Sequence, residues 1–84
     1  MMIDVREKEE CYDAVQGSLN VPLGSLELWA RAHSEQRDVP LRLYCQSGAR
    51  AAYGTHLLQH LGFSDVSNLG GVEAARLYQL QHPE

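Results

Sequence analysis

The stretch Leu43-Tyr44-Cys45-Gln46-Ser47-Gly48-Ala49-Arg50-Ala51-Ala52 decides how this chain reads. Leu41 to Tyr44 has the make-up of a short strand, and residues 48–61, closed by Gly62, have that of a helix. Cys45 therefore falls at the carboxyl end of a strand, just before a helix whose first N–H groups lack intrahelical partners. Curled around the sulfur, those donors and the positive helix end would lower the thiol pKa and form a nest for an anion. Gly48 would let the loop close tightly, and Arg50 would place a cation and a fork of donors at its rim. Local chemistry alone also allows an ordinary buried cysteine beside a glycine turn.

Outward from this loop, Ile3 and Val5 open a first strand, and the charged run from Arg6 to Glu10 suits the start of a helix through about Ala14. Gln16-Gly17-Ser18 is turn chemistry, and residues 19–23 form a second extended segment that Asn20 and Pro22 assign to a sheet edge. Ser25 is placed as the N-cap of a helix over 25–36, with Leu26, Trp29, Ala30 and His33 on one face. The helix after Cys45 is read with Ala52, Thr55, Leu58 and Gln59 along its stripe. Residues 63–69 read as a last strand, Gly70-Gly71 as a tight turn, and 72–80 as a final helix. Four strands alternating with helices predict a single α/β domain over residues 1–84, with a mainly parallel central sheet flanked by helices in three layers. Ligands of such sheets sit beyond the carboxyl ends of the strands, where Cys45 to Arg50 lie.

Composition narrows the functions available. A net charge of −4, with Lys8 as the single lysine and six dispersed arginines, offers no basic patch for nucleic acid. No apolar run reaches membrane-span length, so no membrane partner is expected. The start at Met1-Met2-Ile3-Asp4 turns charged too early for a signal peptide, which reads as cytoplasmic, or periplasmic where a leader has been removed. Cys11 and Cys45 are too few for a disulfide framework. His33, His56, His60 and His82 show no metal spacing with them: His56 and His60 lie four apart without a third ligand. No metal and no cofactor are expected, and the sequence carries no signature of a particular oligomeric state.

The loop resembles the active loop of rhodanese domains, a hydrophobic strand followed by Cys-x-x-Gly-x-Arg-Ser-Ala. Three further segments resemble the family in order: Ile3-Asp4-Val5-Arg6-Glu7, Gly17-Ser18-Leu19-Asn20-Val21-Pro22-Leu23, and Gly62-Phe63-Ser64-Asp65-Val66-Ser67-Asn68-Leu69-Gly70-Gly71. The compact outline looks most like the single-domain phage-shock type of thiosulfate sulfurtransferase. The resemblance implies that Cys45 takes the outer sulfur of thiosulfate or a similar small anionic donor as a persulfide. A thiol, a protein acceptor or cyanide would then receive it. Gln46, Ser47, Gly48, Ala49 and Arg50 would bind the substrate. Ala51 departs from the serine that often follows the loop arginine. The tryptophan frequent after the Gly-Gly turn is absent, and so are the strand and helix usual before Asp4.

Two rivals accompany this reading. Cysteine phosphatases of similar loop design place five residues between Cys and Arg, whereas four separate Cys45 from Arg50. A non-catalytic sulfur-carrier or interaction module would share the fold, because fold does not fix function. Asp4 and Arg6 match the family's first-strand pair, either bracing the sheet end near the site or forming a simple ion pair or solvated charges. Cys11 is placed in an amphipathic helix in a packing role, with resolution of a persulfide as the alternative. Trp29, Tyr44, Tyr53 and Tyr78 are assigned to core and rim packing.

Overall fold

The computed structural model describes residues 1–83. Its sheet has four strands, β1 (Met2–Asp4), β2 (Leu19–Asn20), β3 (Leu41–Tyr44) and β4 (Val66–Gly70), in the order β2-β1-β3-β4 with every pair parallel. Because strand side chains alternate between faces, Ile3, Val5, Leu41, Leu43 and Cys45 join Leu26, Ala30, Ala51 and Leu58 in one core. These come from α1 (Leu26–Ala32) and α2 (Ala49–His60). On the opposite face Tyr44 packs with Val15 and with Val72 and Ala75 of α3 (Val72–Gln81). The predicted three-layer α/β fold is thus the observed one. None of the described helices is long and apolar enough to cross a membrane.

Several elements differ in extent from expectation. The helix placed after Arg6 is a 3₁₀ segment, Lys8–Asp13, with a kink at Cys11. On either side of that kink Glu10 accepts from Arg50 and Asp13 accepts from Arg6. β2 is two residues long, although Val21 and Leu23 continue to donate to Asp4 and Val5 carbonyls past Pro22. A 3₁₀ turn, Leu23–Ser25, leads into α1, so Ser25 makes no side-chain cap. α1 stops at His33, whose Nδ1 lies 2.7 Å from the Trp29 carbonyl and whose ring stacks on the Trp29 indole. β4 starts three residues later than predicted because Phe63 leaves the strand path and packs into the core beside Trp29.

The buried stripe of α2 is Ala51, Gly54 and Leu58, not the predicted Ala52, Thr55, Leu58 and Gln59. Small residues set this face. A Cβ on Gly54 would lie 3.0 Å from Leu26 Cδ2 and from Leu43 Cδ2, so α2 approaches both the sheet and α1 through that position. Thr55, one residue further round, bonds the Ala51 carbonyl with its hydroxyl instead.

Candidate active site

Cys45 is 1% exposed at the end of β3. Its Sγ accepts hydrogen bonds from the backbone N–H of Gly48 at 3.0 Å and of Ala51 at 3.4 Å. The first turn of α2 has no side-chain cap, so the sulfur satisfies donors that a serine or aspartate would normally take. Burial opposes ionisation of this thiol. The amides of Ala51, Ser47, Gly48 and Arg50 oppose burial and prevail, holding the thiol below its ordinary pKa. Ala51 was absent from the predicted set, yet its N–H is one of the two direct donors. The Ala51 side chain, where the family often has serine, is fully buried in the core.

Main chain from β4 and the turn into α3 forms the back of the loop. Gly48 sits at φ +98°, a left-handed conformation that favours glycine, and a Cβ there would lie 3.2 Å from Gly70 Cα. Gly71 leaves still less room, since a Cβ would fall 2.6 Å from the Gln46 carbonyl oxygen. Asn68 ties the two segments: its Nδ2 donates to Gly48 O at 2.9 Å and its Oδ1 accepts from Gly70 N at 2.8 Å. Cys45 N donates to Gly70 O, and Ser47 and Gly71 form an antiparallel bridge. The sequence marked Gly70-Gly71 as a turn and gave Asn68 no role. A polar side chain two residues before a glycine pair was the only signal.

The front of the loop is held by charges. Arg6 is 1% exposed, donates to both carboxylate oxygens of Asp4, and reaches Asp13 at 2.9 Å and Gln46 Oε1 at 3.1 Å. Of the readings open for Asp4 and Arg6, solvated charges are excluded, and the pair is a buried brace joined to the loop. Burial penalises the Asp4 carboxylate, but bonds from the Arg6 side chain and backbone keep its pKa lowered. The Arg50 side chain is bonded to a carboxylate rather than to the sulfur. Its Nη1 and Nη2 grip Glu10 at 2.6 and 2.9 Å, an ion pair that the sequence did not suggest.

Cys11 differs from Cys45 in every respect that bears on reactivity. Its Sγ lies 3.4 Å from Asp4 Oδ2, and burial together with that carboxylate pushes its thiol up to about 11. It serves the Asp4 network more than a packed core. Of the tyrosines assigned to packing, Tyr44 is a core ring whose hydroxyl accepts from Val15 N, Tyr78 is half-buried at the rim, and Tyr53 is exposed. Among the described residues no cluster of His, Cys, Asp and Glu could hold a metal ion.

A parallel sheet carrying a cysteine at a strand end, its sulfur held by backbone amides at the start of the following helix, defines a class of α/β proteins. The chain belongs to the rhodanese-like domain family, whose model matches residues 1–76. It is 33% identical over 73 residues to the thiosulfate sulfurtransferase PspE of Escherichia coli (strain K12), covering 84% of this chain and 69% of that one. A solved rhodanese with anions from E. coli superposes with a TM-score of 0.75 at 32% identity, over 87% of each chain. A thiosulfate sulfurtransferase from Pseudomonas aeruginosa gives 0.77 at 34% identity, over 92% of this chain and 15% of its own. The tRNA uridine(34) hydroxylase of Wolbachia pipientis subsp. Culex pipiens (strain wPip) is 40% identical over 43 residues, 51% of this chain and 15% of that protein. Family membership therefore leaves the reaction to be argued from the site.

Proposed function

We propose that this chain is a sulfurtransferase that moves a sulfane sulfur through a persulfide on Cys45. The thiolate attacks the outer sulfur of thiosulfate or a similar donor. The S–S bond of the donor breaks, its electron pair leaves with sulfite, and Cys45 retains the sulfur as Cys–S–S⁻. A thiol or cyanide then attacks that outer sulfur and returns the Cys45 thiolate. Neither step needs an external oxidant, a metal or a cofactor.

The observation that carries this reading is the convergence of the Gly48 and Ala51 amides on Sγ. Preorganised donors of this kind favour a thiolate first and then the negative charge that a persulfide places one sulfur further out. Ser47, Gly48, Ala49 and Arg50 would contribute chiefly through main chain at this rim, and Gln46 through the position its side chain takes on Arg6. The relatives named as thiosulfate sulfurtransferases support the same reaction. The phosphatase reading loses support from the four-residue interval to Arg50 and from the engagement of that arginine with Glu10.

Intact mass after incubation with thiosulfate is the test. The expected result is a gain of one sulfur atom on Cys45 that cyanide removes with formation of thiocyanate. A folded protein that stays unloaded with thiosulfate and with a thiosulfonate alike would overturn the proposal, and a docking role would replace it.

A further inference from the structure

Each cation bonded into the front of the loop is matched by a carboxylate. Arg50 is gripped by Glu10 through two parallel hydrogen bonds, and Arg6 is shared between Asp4 and Asp13. Two guanidinium groups thus face three carboxylates, a net charge of −1. Glu10 stays ionised under any ordinary condition. Hydrogen bonds from Arg50, then from the Glu7 N–H at 3.0 Å, bring its carboxyl down to about 2. Gln46, Ser47 and Ala49 add no charge. What remains to attract an anion is the amide ring and the start of α2, worth about half an elementary charge.

Such a site suits a donor with one negative charge. The second charge of thiosulfate would find no unshared guanidinium and would meet the Glu10 carboxylate beside Arg50. We propose that Glu10 sets donor specificity by occupying Arg50, favouring sulfane sulfur carried by a monoanion, R–SO₂–S⁻ or R–S–S⁻, over the thiosulfate dianion. The inference rests on the reading of Cys45 as a sulfur acceptor and concerns only which donor supplies it. The chemistry is balanced for both donors: the new bond forms between Sγ and the outer sulfur, and the electron pair of the old S–S bond leaves with the sulfinate or thiolate.

The probes are thiosulfate and methanethiosulfonate, which present the same outer sulfur and differ by one charge. The reading is the ratio of their kcat/KM values, with cyanide as acceptor at fixed ionic strength. Glu10→Gln keeps the shape and the bond to Glu7 but frees the Arg50 charge, so the ratio should move toward thiosulfate by about tenfold, the effect of one pK unit of differential interaction. Arg50→Gln should slow both donors and move the ratio the other way, giving a second route should the Glu10 variant fold poorly. The double variant restores the wild-type charge balance and should return the ratio to within about threefold, by the logic of a double-mutant cycle. Ratios unmoved in both single variants, or equal losses for both donors, would overturn the role of Glu10 while leaving sulfur transfer intact. Absence of sulfur on Cys45 from either donor would instead overturn the sulfurtransferase reading and this one with it.

Discussion

Nη1 of Arg6 donates to Oε1 of Gln46 at 3.1 Å, so the first residue after Cys45 hangs from a guanidinium that is itself buried under the sheet end. The loop and the first strand are one polar unit. Arg6→Ala would strand the fully buried Asp4 carboxylate and release Gln46. Breaking a buried pair from one side costs about 3 to 5 kcal/mol, a large share of the stability of a chain this size. Urea unfolding should show the loss, and Arg6→Lys should recover only part of it, since one ammonium cannot reproduce the planar fork. A variant as stable as the parent would show that the network is incidental.

The two thiols should titrate far apart. Cys45 is held below the ordinary thiol range by the loop amides, whereas Cys11 is pushed up to about 11 by burial and Asp4. Alkylation by iodoacetamide at pH 8, located by peptide mass, should therefore fall on Cys45 well before Cys11. Preferential labelling of Cys11 in the folded protein would contradict the assignment of the active sulfur.

Cys45→Ser should abolish thiocyanate formation with the fold intact, because a hydroxyl cannot carry the persulfide sulfur. Cys11→Ser preserves a donor toward Asp4 and should keep most activity, with stability changed by no more than about 1 kcal/mol, the scale of one hydrogen bond. Loss of turnover in a folded Cys11→Ser protein would point to a relay between the two cysteines.

Gly71→Ala places a methyl group 2.6 Å from the Gln46 carbonyl oxygen, a main-chain atom that cannot step aside by a rotamer change. Overpacking of this sort costs about 1 to 3 kcal/mol. The loop must shift to relieve it, so the Cys45 pKa should rise along with the loss of stability. An alkylation profile identical to the parent would mean that the wall behind the loop does not set the amide positions.

Acid stability follows from the carboxylates. The folded-state pKa of Glu10 lies near 2 against an ordinary 4.5, and that of Asp4 is also lowered. Between those two Glu10 values the unfolded chain binds more protons, so stability rises with pH there. The contribution of Glu10 is complete above about 4.5 and is lost as pH falls through about 2. Glu10→Gln should flatten the dependence of the urea midpoint on pH in that window. An unchanged slope would show that the Arg50 pair does not persist in solution.

The sequence made the sulfur site legible because a cysteine, a glycine and an arginine at fixed intervals after a strand leave few geometries open. It made the layers legible through Ile3, Val5, Leu41 and Leu43, whose alternation survives in the sheet. Arg50 marked the rim, but its partner Glu10 lies 40 residues away in a segment read as an ordinary helix start, where a kinked 3₁₀ path sets which way Glu10 and Asp13 turn. The stripe of α2 was misplaced by a residue because Ala51 and Gly54 carry almost no hydrophobic signal, although their smallness lets the helix approach. Asn68 acts through two main-chain atoms that belong to different segments, a relationship no local pattern encodes.

The burial of Sγ has a consequence for regiochemistry. A persulfide offers an incoming thiolate two electrophilic sulfurs. Attack on the inner one would expel hydrosulfide and leave the protein capped as a mixed disulfide, whereas attack on the outer one completes the transfer. In-line approach to the inner sulfur of Cys45 would have to pass through the packed interior formed by Ala51, Leu43 and Val5, because only 1% of the residue meets solvent. On the proposed persulfide the fold would thereby close the unproductive trajectory by sterics and leave the outer atom as the target, so that choosing between two chemically similar sulfurs would need no further residue.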